Sequence, residues 1–329
     1  MAFNFIQFQH GMSLPEFMAC FGSEEQCAAA LKAARWPEGF RCPRCDRAEH
    51  YIVGHGARRL FQCQGCRHQA SLTAGSLMEH TKLPLRLWFL AIYLISQAKT
   101  GLSSLALKRQ LGVSYPTAWA LHHKINHAMA AREACHQLSG AVQIDDAYLG
   151  GEHPGGKPGR GSENKTPFVA AVSLDDKGRP AFLKLHRLAG FTLESVGGWA
   201  KAHLAPGTRV TSDGLGCFAA VAAAGCIHLP VVVGDRKPRD LPQFAWVNTI
   251  LGNLKTSLHG AYHSLGWAQH ADTYLAAFAY RFNRRFDLRS LVARLIVDTA
   301  RCSPHRISEI RGGAEAHYKS GQIKSVGQE

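Results

Sequence analysis

Acidic residues are scarce in this chain of 329 residues: 24 Asp and Glu stand against 38 Lys and Arg, a formal net charge of +14. That balance favours a polyanionic partner, nucleic acid first and an anionic membrane surface second. Long apolar runs are missing as well. The longest, Leu87 to Ile95 (LWFLAIYLI), is too short to span a bilayer and reads as a buried helix. The opening MAFNFIQFQH has neither the charged start nor the long apolar core of a signal peptide, so a cytoplasmic protein is expected. No internal repeat or low-complexity tract is present, which excludes solenoid and fibrous designs. The Gly-rich stretch GGEHPGGKPGRGSENK contains no phosphate-loop or dinucleotide signature in a strand-to-helix setting. What remains is globular in composition, 46% hydrophobic and 19% charged, and long enough for two or three domains.

In a reducing compartment ten cysteines serve as ligands or core residues. Cys20 and Cys27 have no close-spaced partners and are expected in a core, within a helical segment over residues 13–33. Cys42-Pro43-Arg44-Cys45 and Cys63-Gln64-Gly65-Cys66 differ: they are two CxxC pairs separated by seventeen residues. Each pair aims two thiolates at one point, and two pairs complete a tetrahedral site for one structural Zn²⁺. Strand-like segments at Tyr51-Ile52-Val53 and Leu60-Phe61-Gln62 suit a zinc ribbon. Arg44, Arg47, Arg58, Arg59 and Arg67 make it a candidate nucleic-acid contact, or else form a solvated face. Residues 83–130 read as helices, and SSLALKRQLGVSYPTAWALHHKINHAM has a helix-turn-helix form. A first helix spans Leu105–Leu111 and a turn Gly112–Ser114. A second, Thr117–Ile125, offers Trp119, His122, His123 and Lys124 to DNA.

From residue 140 the pattern becomes mixed α and β. GAVQIDDAYLGG predicts a strand running into Asp145 and Asp146. Alternation sets these on opposite faces, Asp145 with Gln143 and Asp146 with Val142 and Ile144 on the core side, so only one looks into any given site. A mid-strand carboxylate costs several kcal/mol to bury unless compensated. It is therefore a metal ligand or a solvated strand end. The basic, Gly-rich stretch up to Lys165, with Lys157 and Arg160, reads as a long hairpin tip. Strands at Phe168–Leu174 and Ala181–Leu188, a helix at Thr192–Leu204, a strand at Thr208–Asp213, a helix at Cys217–Ala224 and a strand at His228–Val233 follow. The order βββαβαβα predicts a mixed sheet flanked by helices. Asp213 repeats the feature of Asp145, a carboxylate at the carboxyl end of a strand, where open α/β sheets place their sites.

In WVNTILGNLKTSLHG (246–260), Val247, Ile250, Leu251, Leu254 and Leu258 form an apolar helical stripe. Asn248 and Lys255 fall within about 20° of each other beside it, whereas Asn253 points about 140° from Asn248. Downstream, TYLAAFAYRFNRRFDLRSLVARLIV (273–297) carries Arg281, Arg284, Arg285, Arg289 and Arg294, either a phosphate-binding face or a solvated one. The last twenty residues read as weakly ordered.

Taken together, Asp145, Asp213 and Asn248 resemble the catalytic triad of the ribonuclease-H-like DDE transposases, with the 34 residues between Asp213 and Asn248 matching that family's gap. The paired CxxC motifs, QIDDAYLGGE, TSDGLG, WVNTILGNLK, HGAYH and YRFNRRF further resemble insertion-sequence transposases with an N-terminal zinc ribbon and Asn in place of the third acid. The resemblance implies an α/β, ribonuclease-H-like mixed sheet behind a zinc ribbon and a helical DNA-binding region. Asp145 and Asp213 would be metal-binding carboxylates and Asn248 the third ligand, holding two Mg²⁺ (or Mn²⁺). Lys255 would contact DNA beside the site; Arg281, Arg284, Arg285 and Lys124 are the other candidate DNA contacts. Asp146 is assigned no metal. The expected divisions are a helical segment at 1–38, the ribbon at 39–72, the helical DNA-binding region at 73–135, the catalytic domain at 138–305 and a tail at 306–329. The implied activity is strand cleavage and joining on double-stranded DNA, at the element's terminal inverted repeats and at target DNA, by a homo-oligomer. Two alternatives use the same residues: a DNA-binding protein with an inactive catalytic domain, and a structure-specific nuclease.

Overall fold

The computed structural model describes residues 9–54, 59–150, 165–237, 240–262 and 266–312. Lys157, Arg160, Arg58 and the tail beyond residue 312 lie outside the described residues. Helices α1 (Leu14–Phe21) and α2 (Glu24–Arg35) each open on a capping box, Ser13 with Glu16 and Ser23 with Gln26, which satisfies N-terminal N–H groups from both sides. Cys27 is buried, but Cys20 lies on the exposed side of α1, contrary to expectation. Sequence spacing alone does not show which side of so short a helix is covered.

Strands β1 (His50–Val53), β2 (Leu60–Cys63) and β3 (Gln69–Ser71) form an antiparallel sheet in that order. Its small core of Phe40, Phe61 and Ala70 leans on Trp36 at the end of α2. Helices α3 (Leu85–Gln97), α4 (Ser104–Leu111) and α5 (Tyr115–Ala134) follow. The Glu24 carboxylate accepts the Leu85 and Arg86 N–H groups, so α2 caps α3 where Pro84 has no side-chain acceptor to offer.

The mixed sheet consists of β4 (Ala141–Leu149), β5 (Thr166–Leu174), β6 (Pro180–Arg187), β7 (Arg209–Ser212) and β8 (Ile227–Pro230), in the order β6-β5-β4-β7-β8. The first three strands are antiparallel neighbours, while β4–β7 and β7–β8 are parallel. Helix α6 (Leu193–His203) connects β6 to β7. The expected helix between β7 and β8 is a tighter 3₁₀ segment, Gly216–Ala224, closed by Gly225 in the left-handed region at φ 75°. Both cover one sheet face over Val142, Ile144, Val169, Ala171 and Val210. Helices α7 (Ala245–Ala261) and α8 (Trp267–Asn283) cover the other, over Phe168, Ala170, Val172, Leu183 and Leu185.

After α8 the chain returns to the helical layer. Helix α9 (Leu291–Arg301) packs on α2, α3 and α5, and its Leu291, Val292, Leu295 and Ile296 complete the core built by α1–α5. Packing therefore changes partners before residue 305, the expected end of the catalytic domain. A short α10 (Ile307–Gly312) ends the described chain. Among the described residues no helix is long and apolar enough to cross a membrane.

Candidate active site and nucleic-acid interface

Strand β4 pairs with β7 only from Ala141 to Gln143, opposite Arg209 to Thr211. Continuing that register puts Asp213, just past the end of β7, level with Asp145. Asp213 is held by a local turn in which its Oδ1 accepts the Leu215 N–H at 3.0 Å. Ser212, beneath it, is buried and hydrogen-bonded to His228 Nε2 at 2.8 Å. Because β7 stops there, β4 runs on past it with an open flank, and side chains from both of its faces reach the gap. Asp145, Asp146 and Asp213 each offer a carboxylate oxygen, all within 4.8 Å of one another. Asp146, expected on the opposite face and outside the site, thus comes within reach of the other two carboxylates, because beyond Gln143 β4 is paired with β5 alone.

Helix α7 brings the third expected residue. Its buried stripe of Val247, Ile250, Leu254 and Leu258 docks on the sheet and turns Asn248 and Lys255 outward. Asn248, Leu251, Gly252 and Lys255 line one wall of a cleft of about 590 Å³; Asp145, Asp146, Ala147, Tyr148, Gly150 and Lys165 complete it. Asn253 takes no part. Sequence reasoning also missed Gln143, on the same face of β4 as Asp145. It is buried, and its Oε1 accepts the Val247 N–H at 3.1 Å in the first turn of α7.

In the ribbon, both CxxC pairs fold into the same knuckle. Cys42 N–H donates to Arg47 O and Asp46 N–H to Cys42 O; Cys63 N–H donates to His68 O and Arg67 N–H to Cys63 O. Asp46 and Arg67 take the positive φ that each turn needs, 60° and 59°. The four thiols converge, with Sγ–Sγ distances of 3.5 Å for Cys42–Cys66 and Cys45–Cys63. Four soft thiolates fit zinc, whereas the carboxylate oxygens of the sheet fit a hard divalent ion. Arg41, Arg44, Arg47, Arg59 and Arg67 are exposed around the ribbon.

The other expected DNA contacts sit elsewhere. Arg284 bonds Glu133 at 2.6 Å and stacks on Tyr280, its guanidinium 3.5 Å from the ring centroid. Arg285 donates to the carbonyls of Pro180, Ala181 and Phe282. Asn283 both donates to and accepts from the Leu183 backbone, so this end of α8 seals the edge of β6. Burial lowers the pKa of Arg281, which lies near Tyr262. Lys124 is half-buried, its Nζ 5.9 Å over Trp88 and 3.5 Å from Leu77 O. His122 and His123 are buried against Tyr274. Helix α5 is covered along most of its length, and the exposed polar positions around the turn of the helix pair include Lys108, Arg109 and Gln110 of α4 with Ser114 and Tyr115.

A mixed sheet whose carboxylates meet a polar helix face, preceded by a four-cysteine ribbon, defines a class: the DDE transposase domain carried behind a zinc ribbon. Residues 137–283 match the family described as the ISXO2-like transposase domain, and residues 22–69 match the transposase zinc-ribbon domain. The chain is thus similar to zinc-ribbon transposases over these two stretches. It is also 30% identical over 197 residues to an uncharacterised protein in the transposable element ISH50 of Halobacterium salinarum. That match covers 59% of this chain and 62% of the relative, so the chain spans about three-fifths of the relative's length.

Proposed function

We propose that the protein is the DNA transposase of an insertion sequence. It binds the element's terminal inverted repeats as a homo-oligomer on the nucleoid, cleaves there and joins the freed 3′-hydroxyl to target DNA. The observation that carries this reading is the meeting of Asp145, Asp146 and Asp213 oxygens within 4.8 Å, beside the cleft lined by Asn248 and Lys255. Two Mg²⁺ (or Mn²⁺) ions held there would activate the attacking oxygen, stabilise the leaving oxygen and offset charge on the phosphate. Asp145 and Asp213 are the carboxylate ligands. Asn248 contributes a neutral carbonyl oxygen of the right hardness, and Asp146 restores the negative charge that Asn248 lacks. Lys255 holds a neighbouring phosphate. Residues 39–72 and 73–135 grip duplex DNA through the exposed ribbon arginines and Lys108 and Arg109; residues 138–305 carry the chemistry.

A strand-transfer assay on the DNA flanking the gene tests this reading. Transfer that depends on Asp145 and Asp213 is expected, with Asp145→Asn and Asp213→Asn inactive. Asn248→Ala should lose most activity, while Asn248→Glu keeps part of it. Asp146→Asn should be harmful in the native chain and less so beside Asn248→Glu. Binding without cleavage would instead make the protein a DNA-binding remnant, and cleavage without end preference would make it a nuclease.

A further inference from the structure

The first turn of α7 leaves backbone N–H groups to be satisfied from outside the helix, and its N-cap Phe244 has no side-chain acceptor. The acceptor comes from the central strand instead: Gln143 Oε1 takes the Val247 N–H at 3.1 Å. Gln143 is 4% exposed, so this bond is shielded from water. Its neighbours in sequence make it more than a cap. Asp145 lies two residues further along the same strand face, about 7 Å away along β4. Asn248 is the residue after Val247. One side chain therefore spans the interval between the strand that carries the first carboxylate and the helix that carries the third ligand.

We infer that Gln143 is a positioning residue that fixes Asn248 in register with Asp145. Ser257 does a matching job near the other end of α7, its Oγ donating to Thr100 O at 2.6 Å. The apolar stripe between these two points sets the depth of the helix on the sheet, and resists sliding along its axis less than a directional bond does. Gln143 thus supplies the axial stop nearest the site. This inference rests on the metal-binding reading of Asp145 and Asn248, and the test separates the two.

The variants are Gln143→Met, of similar length without an acceptor, Gln143→Asn, with the acceptor drawn back by one methylene, and Gln143→Glu, which keeps it. Two readouts are taken on the full chain: amide exchange at Val247, and Mn²⁺ titration by electron paramagnetic resonance with a duplex from the DNA flanking the gene. Met and Asn should each speed Val247 exchange and raise the half-saturating Mn²⁺ concentration, both by about fivefold, while Glu leaves the exchange near native. In an Asn248→Ala background Gln143→Met should not weaken Mn²⁺ further. If Met fails to fold, Asn carries the same expectation. An equal loss of Mn²⁺ affinity in both backgrounds, or native exchange at Val247 in the Met and Asn variants, overturns the inference. Native Mn²⁺ binding by Asp145→Asn and Asp213→Asn would instead remove the underlying reading, with the exchange result still reporting on the bond.

Discussion

Replacing Arg284 with Met separates a structural clamp from a phosphate contact. The Arg284 and Glu133 side chains are 13% and 8% exposed and meet at 2.6 Å. Asn283 Nδ2 donates to the other Glu133 oxygen at 2.6 Å, and Lys184 donates to the Glu133 carbonyl. Losing one partner of a buried pair leaves the other uncompensated, a cost of about 3–5 kcal/mol. Arg284→Met is therefore expected to destabilise by that amount. Adding Glu133→Gln, which keeps an acceptor for Asn283 without the stranded charge, should recover part of it. Urea unfolding of the two single variants and the double measures the coupling. The same proteins are then titrated with duplex DNA across a salt series. A residue that neutralises a phosphate contributes about 0.9 to the slope of log affinity against log salt. Arg284→Met should keep the native slope, whereas Lys255→Ala, altered at an exposed position in the cleft, should lose about one contact's worth with little change in stability. Native stability of Arg284→Met together with a reduced slope would refute the clamp.

Acid should weaken the protein before its carboxylates protonate. Burial pushes His122 down to about 4 and His123 to about 3; burial, then His305, pushes His127 to about 4, all from an unfolded value near 6.5. Stability from keeping these rings neutral is full above about pH 6.5 and is lost as pH falls towards 4, on the order of 3 kcal/mol for His122 alone. A urea midpoint unchanged between pH 7.5 and 4.5 would count against it. Removing zinc by chelation, or Cys42→Ser, should unfold the ribbon, whose core of Phe40, Phe61 and Ala70 is too small to stand without the metal. Metal analysis finding no zinc in the native protein, or an unchanged ribbon after chelation, would sink that expectation.

Local chemistry was the legible part of the sequence. Two CxxC pairs declare a four-thiolate site by their spacing, and a β-rich segment leading into Asp145 or Asp213 declares a strand; its terminus is legible only at Asp213, since β4 runs on past Asp145 to Leu149. Helical periodicity likewise put Asn248 and Lys255 on one side of α7 without any knowledge of its neighbours. What periodicity cannot state is which side of an element meets water. Arg284, Arg285, Lys124, His122 and His123 read as a basic face, yet α5 lies beneath α3, α4, α8 and α9, and the arginines fold back on β6 and Glu133. Asp146 was misplaced for a related reason, because strand alternation says nothing about where the neighbouring strand stops. Gln143 looked like an ordinary strand residue, since its partner Val247 lies 104 residues away in sequence.

The placement of α9 has a consequence for synthesis. The ribbon contains all four thiolates by residue 66 and can close around its metal as soon as it leaves the ribosome. The helices on either side of it cannot finish so early. The groove they leave is filled by Leu291, Val292, Leu295 and Ile296, each worth about 1.5–3 kcal/mol when buried, and these are translated only after the whole sheet. A nascent chain stalled before residue 290 would carry a formed ribbon on an open, apolar helical layer, and a prematurely terminated product should be captured by chaperones or proteases. The helical layer would thus be completed only after the sheet and its covering helices have been made.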